Sequence, residues 1–248
     1  CLSRGLGDVY KRQQYNLLNL PSQVKFSDGS TITYTYGADG VKLRTVHKIG
    51  GVTTTTDYCD NVIYENGTAK QLLTEEGYVS LSDKKYHYYL KDHQGNNRVV
   101  TDQAGGMEEA NYYYPFGGVF LSNGNDVQAY KYNGKELDTK KGLNWYDYGA
   151  REYDAVLGRF TTMDPSSESY YSTSPYAYCG NNPVNRIDPT GTDWYRVKSS
   201  EEKWEYVWDS DIHSQSELDK LKNDATYLGK TYICLLYTSP SPRDRQKS

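Results

Sequence analysis

Hydrophobic and polar residues alternate along much of the first 150 positions, which is the pattern of β-strands with two different faces. The clearest run, Ser30–Tyr36, places an isoleucine and two tyrosines on one side and three threonines on the other. Gly37–Gly40 supplies turn residues, and Val41–Arg44 alternates again. The pattern predicts an antiparallel hairpin.

The same unit, a Tyr-x-Tyr strand followed by a glycine turn, recurs along Gln14–Tyr148. Its anchors, spaced by roughly 20 to 30 residues, are Tyr34, Tyr58, Tyr88, Tyr113 and Tyr132. Asn66-Gly67 is a strong hairpin signal because both central positions of the turn need a positive φ. We therefore predict a mainly β fold of hairpin repeats, each burying its face on the next.

The segment Gly149–Gly191 is rich in specified turns. Proline follows Asp or Asn at Asp164-Pro165, Asn182-Pro183 and Asp188-Pro189. Proline fixes its own φ and keeps the preceding residue out of the helical region, while the Asp or Asn side chain accepts a backbone hydrogen bond. These turns predict an ordered plug after the hairpins.

Composition adds one anomaly, because the chain has 27 tyrosines and only 4 phenylalanines. Tyrosine favours strands and keeps its hydroxyl on water or a backbone group. This usage predicts a thin, half-solvated sheet rather than a deep aliphatic core.

The two ends of the chain do not follow this pattern. Cys234–Asp244 back-translates to a DNA string whose complementary strand, read in another frame, encodes Ser3–Gln13. The string resembles a transposon-type sequencing adapter. We expect residues 1–13 and 234–248 to be adapter-derived and to lie outside the fold. Residues 192–233 differ in composition from the hairpins and predict a small α+β piece, the start of a variable C-terminal segment.

The charge and the chemistry-bearing residues exclude several classes of function. The net charge is −4 without a basic stripe, which argues against a nucleic-acid partner or an anionic membrane. The sequence contains no run of about 18 apolar residues, so it predicts no membrane span. Cys59 and Cys179 are too far apart in sequence for a zinc motif, and the histidines lack metal spacing. We expect no cofactor and no metal.

Three motifs resemble bacterial RHS/YD-repeat proteins. Tyr89–Arg98 (YLKDHQGNNR) is similar to the strand and turn that mark that family, and Asp138–Pro165 and Ser174–Gly191 resemble the core segment at the end of its repeats. The resemblance covers Tyr34–Gly191. Two positions depart from the family. Gly37 follows Tyr36 at a position where family members have Asp, and Thr192 occupies a position where self-cleaving members usually have an apolar residue.

The resemblance implies a hollow β-shell, a core at residues 149–191 that seals it, and a C-terminal effector segment, often a toxin, as partner. It implies a secreted or cell-surface protein that works with a secretion apparatus. In several members the core is an aspartyl autoprotease. Here Asp164 and Asp188 would be its two carboxylates, with Arg159 as a charge partner, whereas turn capping explains both carboxylates without catalysis.

The alternative function is a carbohydrate-binding or adhesion module, because clustered aromatic side chains stack on sugars. Exposure of Tyr112–Tyr114 or Tyr170–Tyr171 as one platform would favour it, and burial between layers would exclude it. The partner would then be a cell-surface glycan.

Overall fold

The computed structural model describes residues 12–124, 128–169 and 172–192, together with the backbone of 195–196. Within these ranges the chain forms three antiparallel sheets joined by turns and short 3₁₀ segments. The predicted mainly β fold of antiparallel hairpins is confirmed. None of the described segments is a helix long and apolar enough to cross a bilayer.

The first sheet contains twelve strands that pair in chain order, each antiparallel to the next. They are β1 Arg12–Tyr15, β2 Pro21–Lys25, β3 Thr31–Tyr36, β4 Lys42–Ile49, β5 Val52–Cys59, β6 Val62–Glu65, β7 Thr68–Thr74, β8 Gly77–Ser80, β9 Lys85–Lys91, β10 Asn97–Asp102, β11 Met107–Tyr113 and β12 Val119–Gly124. The sheet is not closed, and β1 and β12 are its two edges.

Local turn chemistry explains this succession of hairpins. Asn66 and Gly67 join β6 to β7 with φ values of 51° and 79°, as the sequence predicts. At Gly40 the chain has φ 86°, and the Gly40 amide donates to the Gly37 carbonyl at 3.1 Å between β3 and β4. Each turn returns the chain beside the strand it has just left.

The predicted repeat differs from the sheet in two places. The interval from Tyr58 to Tyr88 holds additional strands without a Tyr-x-Tyr pair, since β7 and β8 pair Gln71 with Ser80 and Leu72 with Val79. Tyr132 does not lie in a strand but begins a 3₁₀ turn, in which Asn133 has φ 49°. Tertiary packing decides both positions, and strand spacing does not reveal it.

The second sheet has four short strands in chain order: β13 Glu136–Asp138, β14 Trp145–Asp147, β15 Glu152–Asp154 and β16 Arg159–Phe160. A third sheet pairs β17 Arg186–Ile187 with β18 Tyr195–Arg196.

Three predicted boundaries can be compared with these sheets. The expected boundary between residues 148 and 149 falls inside the second sheet. Strand β1 begins at Arg12, within the segment predicted to be adapter-derived, and Arg12 pairs with Lys25. The predicted α+β piece at 192–233 lies outside the described residues, apart from Thr192 and the backbone of β18. The division into units remains a prediction.

Tyrosines form the main core, which differs from the predicted half-solvated sheet. The core cluster consists of Tyr132, Leu137, Tyr146, Tyr148, Tyr153, Phe160, Tyr178 and Cys179. Its rings pack closely, with centroids 4.3 Å apart for Tyr153 and Tyr178. Tyrosine can be buried when its hydroxyl finds an acceptor, and these hydroxyls do.

Three of those hydroxyls bind three consecutive carbonyls of the turn between β11 and β12. Tyr132 donates to Pro115 at 3.0 Å, Tyr153 to Phe116 at 2.8 Å and Tyr146 to Gly117 at 2.9 Å. The turn belongs to the first sheet, and Tyr146 and Tyr153 lie on β14 and β15. These bonds therefore join the two sheets.

A buried charged cluster also joins the sheets. Lys42 on β4 contacts Glu136 at 2.7 Å and Asp147 at 2.6 Å, and its ammonium lies 4.8 Å from the centre of the Tyr58 ring. Tyr58 in turn donates to Glu136 at 2.8 Å. The acidic residues of this cluster outnumber its lysine. Burial raises the pKa of the nearby Glu152 carboxyl, and the negative charges of Asp147 and Glu136 raise it further.

Candidate functional site

The turn Asp188–Gly191 is bound to the second sheet and its flanks through three consecutive carbonyls. The Pro189 carbonyl accepts from Lys135 Nζ at 2.5 Å, and the Thr190 carbonyl accepts from the Ala150 amide at 3.1 Å. The Gly191 carbonyl accepts from Arg151 Nε. We call this turn the exit turn, because it leads to Thr192 and the downstream chain.

Arg151 lies at the centre of the site and is 2% exposed. Its Nη2 is 2.8 Å from Asp164 Oδ2 and 3.5 Å from Asp188 Oδ2, and its Nη1 donates to the Pro175 carbonyl at 3.1 Å. The guanidinium carbon lies 3.6 Å from the centre of the Phe160 ring. The two carboxylates predicted from the sequence therefore meet on one buried arginine.

Arg159, the expected charge partner, lies elsewhere. It is exposed on β16 and lines an open cleft with Tyr15, Trp145 and Tyr176. Among the described residues no ion pair joins Arg159 to either carboxylate. Neighbouring strand residues point to opposite faces, so Phe160 enters the core while Arg159 faces outward. Arg151 takes the position assigned to Arg159.

The sequence offered one weak signal for Arg151. It is the only basic residue in the aromatic run Trp145–Tyr153, which otherwise supplies tyrosines to the core. A basic residue in such a run indicates a buried partner of opposite charge. The partners come from residues 164 and 188, and local pattern cannot identify contacts over that distance.

Asp188 is 1% exposed, and burial raises its pKa to about 6. The Arg151 charge and the backbone amides of Gly191 and Thr190 oppose this shift, and the Asp164 charge adds to it. Asp188 Oδ1 accepts from the Gly191 amide at 2.6 Å and from the Thr190 amide at 3.2 Å. The residue therefore caps the exit turn and also carries a perturbed carboxyl.

Asp164 also caps a turn and contacts Arg151. Its Oδ1 accepts from the Ser166 amide at 2.7 Å, which is a turn-capping bond, while Oδ2 faces Arg151. Its side chain keeps 13% exposure, so water reaches it more readily than Asp188. The pair has two carboxyls in unlike surroundings, the arrangement that separates an acid from a base.

Among the described residues, two histidines and two cysteines lie outside the contacts that hold the exit turn. His47 pairs with Asp138 at 2.9 Å and His87 with Glu108 at 2.6 Å. Cys59 and Cys179 are free thiols, and burial raises the pKa of Cys179 well above its usual value. Over the described ranges there is no group of three His, Cys, Asp or Glu side chains that could hold a metal ion.

No family model matches the chain. In sequence it is similar to Salivary gland surface protein 1 of Aedes aegypti, with 43% identity over 44% of this chain and 3% of the relative. It is 31% identical to the tRNA3(Ser)-specific nuclease WapA of Bacillus spizizenii over 67% of this chain and 7% of the relative. It is 38% identical to Toxin subunit YenC2 of Yersinia entomophaga over 36% of this chain and 9% of the relative. The chain thus spans less than a tenth of the length of each.

Two solved structures share the fold. A chain in the crystal structure of TcdB2-TccC3-Cdc42 matches with a TM-score of 0.63 and 21% identity, over 73% of this chain and 10% of that chain. The Photorhabdus luminescens Tc holotoxin pore matches with a TM-score of 0.62 and 21% identity, over 77% and 10%. The open twelve-stranded antiparallel sheet matches the fold of these neighbours. The relatives include a toxin subunit and a WapA nuclease, which agrees with the RHS/YD-repeat resemblance of the sequence motifs.

Proposed function

We propose that the chain is a segment of a secreted β-shell that encloses a C-terminal effector, and that its core cuts the chain beside the exit turn. One observation carries the proposal: Asp164 and Asp188 meet on buried Arg151, whose Nε binds the carbonyl of Gly191, the residue before Thr192. The similarity to toxin subunits supports the effector as partner.

The two carboxyls support different roles in peptide hydrolysis. Arg151 lies nearer Asp164, which favours the charged carboxylate there as the base that takes a proton from water. Asp188, with its pKa raised to about 6, keeps a protonated fraction near neutral pH and supplies the acid. Hydroxide adds to the carbonyl carbon, the C–N bond breaks, and the amine nitrogen takes the proton from Asp188.

Self-cleavage is tested on the full chain. Purified protein should yield a fragment whose N-terminus lies at or next to Thr192, identified by intact mass. Asp164→Asn and Asp188→Asn should each stop its formation. Asp60→Asn is the matched control, because Asp60 is exposed at φ 56°, a conformation that asparagine also adopts. An uncut wild-type chain, or cutting that survives both site substitutions, would reject the proposed cleavage.

Enclosure of the effector is tested on the longest protein in which this chain occurs. Under native conditions added protease should leave the segment after Thr192 intact, and mild denaturation should expose that segment to digestion. Rapid native digestion would show that the shell does not enclose it. Secretion is tested separately, by measuring the protein in culture medium against a cytoplasmic marker.

One surface favours the alternative, carbohydrate binding. Tyr112, Tyr114 and Phe120 are 46%, 59% and 60% exposed, and the Phe120 ring lies 6.4 Å from Tyr112 and 5.4 Å from Tyr114. They form an aromatic platform on β11, β12 and the turn between them, and exposed aromatic rings of this kind stack on sugar rings. Tyr113, between them in sequence, turns inward, and Tyr170–Tyr171 lie outside the described residues.

The platform is tested with a glycan array and titration calorimetry. Phe120→Ala should abolish any binding found, because Phe120 touches both tyrosines. Tyr86→Ala is the control, since Tyr86 is 53% exposed on β9 and outside the platform. Absence of glycan binding by the wild-type chain, or equal loss in both variants, would exclude the platform as a sugar site.

A further inference from the structure

Lys135 is a half-buried cation beside the exit turn that the two-carboxyl chemistry does not use. It follows the 3₁₀ turn Tyr132–Gly134 and extends its side chain to the Pro189 carbonyl at 2.5 Å. Its ammonium lies 5.3 Å from the centre of the Tyr148 ring. Burial lowers the pKa of Lys135, although the charges of Asp147 and Asp188 oppose that shift.

The three bonds to the exit turn differ in kind. The Ala150 amide belongs to the backbone, and Arg151 is already engaged by both carboxylates. Of the two side-chain donors, Lys135 is the one that does not also pair with Asp164 and Asp188 in the described residues, and it binds the residue directly after Asp188. The bond from Lys135 to the Pro189 carbonyl therefore fixes the position of the exit turn relative to Arg151.

We propose that Lys135 is a positioning residue that sets the register of the exit turn, and thereby the peptide bond presented to Asp164 and Asp188. This inference rests on the proposed cleavage. If the Pro189 carbonyl lost this bond, the exit turn could shift its position. A different peptide bond would then lie beside Asp164 and Asp188. The Asp188 charge opposes the lowered pKa of Lys135, and the same attraction favours the charged form of the Asp188 carboxyl.

The test compares Lys135→Met and Lys135→Arg in the full chain with Lys140→Met, an exposed lysine close by in sequence. Lys135→Met should slow cutting by about tenfold or more, since a hydrogen bond to a charged donor is lost. It should also give more than one new N-terminus and move the pH–rate profile to higher pH. Lys135→Arg should restore a single N-terminus, and Lys140→Met should behave as wild type.

A second measurement is independent of cutting. In the Asp164→Asn background, hydrogen exchange of peptides spanning 188–192 should speed up about tenfold with Lys135→Met, while peptides from β14 and β15 stay protected. If Lys135→Met does not fold, Lys135→Gln takes its place, because it keeps a donor and loses the charge and the reach.

The outcomes separate the two proposals. An uncut wild-type chain rejects the cleavage, whereas the exchange measurement still decides whether Lys135 holds the turn. A wild-type chain that is cut, together with Lys135→Met cut at the same bond with the same pH profile, rejects the positioning role. Faster exchange throughout β14 and β15 would make Lys135 a general stabilising residue and would also reject it.

Discussion

Gln94 Nε2 donates to the carbonyls of Pro183 and Val184, at 2.5 Å and 2.9 Å. Gln94 lies in the turn between β9 and β10 of the first sheet, and the two carbonyls lie in the Asn182-Pro183 turn about ninety residues later in the chain. The turn that resembles the family hallmark thus binds directly to the turn-rich core.

Gln94→Ala should destabilise the chain by about 1–3 kcal/mol, because two carbonyls lose their donor in a largely buried place. Thermal denaturation followed by circular dichroism measures this as a Tm lower by about 2–4 °C per kcal/mol. His93→Ala, at the exposed neighbouring position, should change Tm much less. Equal shifts would show that Gln94 does not join the two parts.

Asn133→Ala should destabilise more than Asn144→Ala. The Asn133 Oδ1 accepts from Tyr148 at 2.7 Å and Tyr178 at 2.6 Å, so its loss removes the acceptor of two hydroxyls in the core. Both asparagines have left-handed backbone, with φ 49° and 53°, so the comparison cancels the cost of placing alanine there. We expect a difference of about 2 kcal/mol in urea unfolding. A difference near zero would show that the two hydroxyls do not depend on Asn133 as their acceptor.

Gly117→Ala tests close packing at the turn that receives the three tyrosine hydroxyls. Gly117 has φ 83°, and a Cβ there would lie 2.5 Å from Tyr132 Cδ1. Gly105 has φ 85° with no atom within 4 Å of its Cβ position, so Gly105→Ala carries only the backbone cost, about 1 kcal/mol. Gly117→Ala should cost at least about 2 kcal/mol more, because the core must shift. Equal losses of stability would mean that the ring moves aside freely.

The buried carboxyl of Glu152 predicts a pH dependence of stability. Burial raises its pKa well above 4.5, the Asp147 charge adds to the shift, the Lys42 charge opposes it, and Asp138 and Glu136 add further. A carboxyl with a raised folded pKa binds its proton more tightly in the folded state. Its contribution to stability is complete below pH 4.5 and is lost as the pH rises through the folded pKa.

Glu152→Gln should therefore flatten the fall of Tm with rising pH and should raise Tm at the alkaline end. The contribution of Asp188 has the same sign and is largely lost by about pH 6, so the comparison is made above that value. Glu76→Gln, at an exposed turn, is the control. A Tm profile that keeps its slope in Glu152→Gln would place the pH dependence on other groups.

Local sequence rules predicted most of the first sheet. Alternation and turn residues such as Asn66-Gly67 act between neighbours in the chain, and antiparallel hairpins need little else. The rules did not find β8, and they placed Tyr132 in a strand where the chain forms a 3₁₀ turn, because long-range packing determines the backbone there. They also misjudged the tyrosines, because the carbonyls that allow Tyr146 and Tyr153 to be buried lie some thirty residues away.

The candidate site was predictable to a similar degree. The Asp-Pro turns pointed to Asp164 and Asp188, and the structure brings both to Arg151. Sequence proximity favoured Arg159 as their charge partner. Arg159 lies on the exposed face of β16, and Arg151 contacts both carboxylates instead. Lys135 gave no signal, since its contact with Pro189 spans 54 positions.

The three tyrosine hydroxyls on residues 115–117 have a geometric consequence. A phenol side chain is rigid and of fixed length, so each bond sets the distance between the β11–β12 turn and the segment that carries the tyrosine, which is β14, β15 or the 3₁₀ turn at Tyr132. Phenylalanine would fill the same volume without fixing the separation. At these three positions tyrosine therefore fixes the distance between the β11–β12 turn and the core beneath it, which phenylalanine would not do.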